Sequence, residues 1–165
     1  MNYSEVEAEI LRLISGATEA NLRAFGEETV TRLVRPELLR DATDDELTED
    51  ARAALTTAGA DILTISAAEL DDKLATIYEG ILAEDGLDTG VLTVVAALAH
   101  WHTYLRQHQR GELYELAIRS VEDVDHQVSA DLDDFLATPE MAAEYERIRR
   151  LLDPGTGREQ ETRST

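Results

Sequence analysis

Residues 88–109 read DTGVLTVVAALAHWHTYLRQHQ, and this stretch decides the fold. Val91, Leu92, Val94, Val95, Leu98, Trp101 and Leu105 recur at three- and four-residue spacing, the period of an α-helix, and cover most of its circumference. A helix that is apolar nearly all round belongs in the centre of a bundle, wrapped by others. Its most apolar part, Val91 to Ala99, is broken only by Thr93 and falls well short of the roughly 20 residues a bilayer span requires.

Helical periodicity extends outward from this segment in both directions. Upstream, Ser66 with Glu69 forms a capping box that opens a helix burying Leu70, Leu74, Ile77 and Ile81 and stopping before Gly86. Thr43 with Glu46 is a second box, ahead of Leu47, Ala51, Ala54 and Leu55, and Ser4 with Glu7 a third, ahead of Val6, Ile10, Leu13 and Ile14. Between these, a helix starting at Thr18 carries Leu22, Phe25, Val30 and Leu33 until Pro36 ends it, and a short piece over 37–40 follows. Residues 60–65 read as an extended connection, because a lone strand has nothing to pair with. Downstream, Gly111 interrupts the pattern, and Leu113, Leu116, Val121 and Val124 continue it on a separate helix. Thr138 and Pro139 supply a capping hydroxyl and a first-turn proline for a last helix with Met141, Tyr145, Ile148 and Leu152. The expected architecture is all-α, a single-domain bundle of about seven to eight helices over 1–152, with a flexible polar tail over 153–165.

Charge is the second strong signal. The 165 residues hold 35 Asp and Glu against 15 Lys and Arg, a formal balance of −20. Such a surface repels nucleic acid and anionic membranes and attracts basic proteins at rates that fall with salt. Two readings of the acidity stand side by side. One is a docking surface. The other is solubility in a salt-rich cytoplasm, suggested by basic residues that are all Arg except Lys73. The absence of cysteine removes disulfides, thiolate metal sites and thiol nucleophiles. The N-terminus, MNYSEVEAEI, lacks the basic-then-apolar layout of a signal peptide, so a cytoplasmic protein is expected.

Candidate chemistry is sparse. Three of the four histidines lie in HWHTYLRQH, but His100 and His102 stand about 200° apart round a helix, and His100 and His108 about 12 Å apart along it. Only tertiary packing brings a metal set together, and it would join His100 to His126 with Glu122 or Asp123; no di-iron or zinc-protease spacing is present. The acidic runs Asp44-Asp45-Glu46, Asp71-Asp72 and Asp131, Asp133, Asp134 lack the glycine and alternation of a calcium loop. They read instead as solvated helix starts and faces able to meet a basic partner, with Tyr104 or Tyr114 as the aromatic anchor; Trp101, on the stripe of Leu98 and Leu105, reads as core. No phosphate loop, nucleophile triad or dinucleotide fingerprint is present, and no cofactor is expected.

The stretches LDDKLATIYEGI, VLTVVAALAHWHTYL, RGELYELAIRSVEDV and LATPEMAAEYERIRRLL, the last with Glu144 and Tyr145 as an acid–aromatic pair, give residues 70–152 a resemblance to the bacterial domain-of-unknown-function family 416. Ile148 stands where that pattern has a polar residue, and residues 1–60 fit it poorly. The resemblance implies an all-helical fold and carries no active site. The expected function is that of a non-enzymatic interaction protein, in its sharpest form an immunity or inhibitor protein that covers the basic groove of a toxin. The alternatives are a helical metal-binding protein or enzyme using His100 and His126, and a housekeeping domain of a salt-loving organism.

Overall fold

The computed structural model describes residues 1–82 and 86–153. Among them the chain forms seven α-helices and one 3-10 helix: α1 Tyr3–Gly16, α2 Glu19–Leu33, the 3-10 helix Pro36–Leu39, α3 Glu49–Ala60, α4 Ala67–Glu79, α5 Thr89–Gln107, α6 Arg110–Val128 and α7 Pro139–Leu152. The architecture is all-α, and the β-type pairing among the described residues is one isolated antiparallel bridge, Leu47 with Ile81. The expected tail lies, from residue 154 on, outside the described residues. The chain falls into two compact units, Met1–Thr29 with the described residues from Arg110 onward, and Val30–Gln109.

In the first unit α1, α6 and α7 pack on one another. Their stripes supply Val6, Ile10, Leu13 and Ile14 from α1, Leu113, Leu116, Ala117, Val121 and Val124 from α6, and Met141, Ile148 and Leu152 from α7, all buried. Each fully buried aliphatic side chain of this kind contributes about 1.5–3 kcal/mol relative to exposure. The cap of α1 differs from expectation. Asn2, not Ser4, is the N-cap: its side chain accepts from the Glu5 N–H at 2.9 Å while Glu5 accepts from the Asn2 N–H at 2.7 Å. Asn2 has the same three-residue spacing to an acid as Ser4, and it lies two residues earlier, which extends the helix.

The second unit packs α3 on α4, α4 on α5, α3 on α5, and the 3-10 helix on α5. Val91, Val94, Val95, Ala97, Leu98, Trp101 and Tyr104 of α5 are buried, whereas Leu92 is exposed, so the helix keeps one wet edge. Three boundaries move from their sequence positions. Helix α3 starts at Glu49 with Thr48 as its cap, because the Thr43–Glu46 box closes a turn instead of opening a helix. Helix α4 ends at Glu79, because Gly80 leads into the bridge: the Thr48 N–H donates to Gly80 O and the Leu82 N–H to Glu46 O, each at 2.9 Å. The break between α5 and α6 falls on His108, in left-handed conformation with φ 52°, and Gly111 lies inside α6. The link over 60–65 is also not extended: the Thr64 and Ile65 N–H groups fold back onto Asp61 O at 2.9 and 2.8 Å.

Gly90, in the first turn of α5, shows how closely this unit is packed. A Cβ there would collide with the Leu38 carbonyl and approach the Asp88 carboxylate to 3.2 Å, whereas a Cβ at Gly111 meets nothing within 4 Å. Helix propensity alone favours alanine over glycine by about 1 kcal/mol at either place. The close contact reverses the sign at one of them: urea unfolding should show Gly90→Ala destabilised by about 1–3 kcal/mol and Gly111→Ala unchanged or stabilised. Equal effects at the two positions would contradict the packing described.

Candidate functional site

The acidic runs are displayed on anchored turns. In the second unit, Asp44 and Asp45 are exposed, and the turn that carries them is closed by Glu46, which is half-buried. Glu46 Oε2 accepts from the Thr43 N–H at 2.7 Å and Oε1 from the Asp88 N–H at 2.5 Å. The Thr43 bond and then the Asp88 bond hold its carboxyl below the usual glutamate range. Glu46 thus serves the fold, and Asp44 and Asp45 are what the turn presents. In the first unit, Asp131, Asp133 and Asp134 are exposed around a bend whose backbone is tied to the N-terminus. The Tyr3 N–H donates to Leu132 O and the Phe135 N–H to Met1 O, both at 2.9 Å, and the buried Phe135 ring meets Tyr3 edge-on at 5.0 Å. Asp131 also accepts from the Asp133 N–H at 2.8 Å.

The aromatic anchors divide. Tyr104, expected on the surface, is buried at 1% exposure, with its ring 5.6 Å from Trp101 and 5.5 Å from His108. It lies three residues beyond Trp101, so the core stripe that takes one aromatic takes the other. Tyr114 is half-buried, and desolvation followed by the nearby charges of Glu7 and Glu115 raises its phenol above the ordinary value. Tyr3 is raised further by burial and by its hydrogen bond with Glu7, with Glu122 adding repulsion. Of the metal candidates, His126 and Glu122 are exposed and His100 is half-buried. Among the described residues no three His, Asp or Glu side chains gather closely enough to hold a metal ion.

Two features escaped the sequence reading. The first is a groove between α4 and α5 in the second unit, with a volume of about 290 Å³. Asp71, Leu74, Ala75 and Tyr78 line it from α4, and Ala99 and His102 from α5. Asp71 is exposed, as is its neighbour Asp72, and Tyr78 is 52% exposed. The His102 side chain is only 13% exposed; its Nε2 makes no hydrogen bond and lies 3.4 Å from Asp71 Oδ1. That contact is an ion pair only when the imidazole is protonated. The position was legible in part, since His102 is four residues from Leu98 and so shares the edge of its apolar stripe.

The second is a buried ion pair in the first unit. Glu144, not Tyr145, completes the stripe of Met141, Ile148 and Leu152, and its side chain is 1% exposed. Arg147 grips it from the next turn, Nε to Oε2 at 3.1 Å and Nη2 to Oε1 at 2.7 Å, while the Ser120 hydroxyl donates to Oε1 at 2.5 Å. Arg147 also reaches the Thr29 hydroxyl at 3.1 Å and lies 5.9 Å from the centre of the Phe25 ring. One guanidinium so joins α2, α6 and α7. The cluster is closed to solvent and offers no reacting atom to a substrate.

Two outcomes follow from these environments. Arg147→Ala strands a buried carboxylate and should cost about 3–5 kcal/mol in urea unfolding, while the double change Arg147→Leu with Glu144→Leu should recover most of that loss. Tyr3, Tyr114 and Tyr145 hold their protons above the ordinary phenol value while unfolded tyrosines ionise near pH 10, so the stability they provide is present below that pH and is lost as pH rises beyond it. Unfolding midpoints measured across the alkaline range should fall from about pH 10, and Tyr114→Phe should make the fall shallower.

No family model, curated protein or solved structure matches this chain.

Proposed function

We propose that this chain is a non-enzymatic, cytoplasmic interaction protein whose acidic turns dock a basic protein partner, in its sharpest form an immunity or inhibitor protein covering the positive groove of a toxin. The charge balance is the observation that carries this reading. Even if every Lys and Arg were paired with one acid, 20 carboxylates would have no cation of their own within the chain. Two of the acidic runs, at Asp44–Asp45 and Asp131–Asp134, stand in water on turns pinned by backbone hydrogen bonds, so a partner meets charges already held in place. No helix of the described residues is long and apolar enough to cross a membrane. Partner-free solvation in a salt-rich cell is the competing account of the same charge.

A tagged form of the chain should retain one basic protein from its native lysate at about 0.1 M salt and release most of it at about 0.5 M, because screening shortens the reach of the acidic field. The purified pair should re-form at one-to-one stoichiometry, with association slowed by Asp131→Asn, Asp133→Asn and Asp134→Asn together. A chain that stays folded at both salts and retains no basic protein defeats the docking reading. A chain that loses its helical signal at low salt supports the solvation account instead.

A further inference from the structure

We infer that the groove between α4 and α5 takes one arginine side chain of the basic partner; this rests on the docking reading above and gives it a defined contact. The groove has the size for a side chain and not for a cofactor, since about 290 Å³ lies at the very bottom of the range for small-molecule sites. Its aliphatic surface, from Leu74, Ala75 and Ala99, suits the methylene stem of a long cationic residue. The half-exposed Tyr78 ring attracts a cation placed over its face.

The polar end selects the head group. Nε2 of His102 is buried, makes no hydrogen bond, and lies 3.4 Å from Asp71 Oδ1. In the neutral imidazole with its proton on Nδ1, Nε2 is an acceptor covered in the empty groove, so a guanidinium drawn to the open Asp71 carboxylate gains a second, neighbouring acceptor once it displaces what covers Nε2. A guanidinium brings several N–H donors in a rigid plane and can satisfy both at once while its charge is matched by the carboxylate. A lysine ammonium is a compact, strongly hydrated point charge and gains less from such a pair. Asp71 keeps 58% of its side chain in water, so its carboxylate is hydrated when the groove is empty and reachable when a cation arrives. The balance of −20 steers that cation inward.

The test is an NMR titration of the isotope-labelled full chain with N-acetyl-arginine methylamide, beside its lysine and neutral citrulline counterparts. Arginine should give saturable shifts at Asp71, Ala75, Tyr78, Ala99 and His102, and citrulline none that saturate. Asp71→Asn should weaken arginine binding by about tenfold, the loss of one charge-assisted hydrogen bond, while Glu140→Gln, at an exposed acid in the first turn of α7, leaves it unchanged. His102→Leu should remove the preference for arginine over lysine. Equal binding of lysine by the unaltered chain overturns the arginine assignment. Shifts confined to the turns at Asp44–Glu46 and Asp131–Asp134, insensitive to Asp71→Asn, overturn the groove and leave the acidic-docking reading intact. No saturable shift anywhere also overturns the groove, and the capture experiment then decides the broader reading on its own.

Discussion

Thirty-five carboxylates in 165 residues repel one another, and every other feature of the structure accommodates that repulsion. A carboxylate is tolerated where water solvates it, where backbone N–H groups point at it, or where a cation holds it. The chain uses all three. Most of the acidic runs stand in water. Glu5 and Glu46 accept backbone N–H groups at the start of α1 and at the turn before α3. Glu144, the buried acid among the described residues, is gripped by Arg147 and by the Ser120 hydroxyl. The interior that remains is aliphatic, with Trp101, Tyr104, Phe25 and Phe135 as its large aromatic members.

The same accommodation links folding to display. Buried neighbours fix the acids that the surface presents: Leu47, in its bridge with Ile81, follows the turn of Asp44 and Asp45, and Phe135, buried against Tyr3, closes the bend of Asp131, Asp133 and Asp134. Charges on anchored turns lose little freedom when a partner arrives, which favours recognition by complementarity. The α4–α5 groove adds shape to charge, because Asp71 and Tyr78 stand beside a patch of small aliphatic side chains.

Much of the helical fold was legible in the residues. The caps at Thr48, Ser66, Asp88 and Thr138 are short polar side chains directly ahead of apolar stripes, and every expected member of the α1, α2 and α6 stripes is buried. Errors arose where a local signal had two uses. The Thr43–Glu46 box forms only half of its pattern: Glu46 accepts from the Thr43 N–H, but the Glu46 N–H donates to the Thr43 carbonyl and not to the hydroxyl, its second oxygen turns to Asp88, far along the chain, and the helix waits for Thr48. The Gly111 break was misplaced because His108 adopts the left-handed conformation that glycine more often supplies.

The site was far less legible. Periodicity names the stripe a residue lies on, but not whether the opposing helix leaves room beside it. Tyr104, expected as an exposed anchor, is core, whereas Tyr78, next in sequence to the buried Ile77, stands half in water. The metal reading of His100 with His126 depended wholly on tertiary approach, which no spacing expresses. By itself the sequence determined the all-α class, the apolar stripes of most helices and the overwhelming negative charge, because these follow from short-range spacing and composition. Only the tertiary structure decided that the Glu144–Arg147 pair of α7 is buried against Ser120 and Thr29 and that His102 meets Asp71 in a groove, because both depend on which side chains different helices bring together.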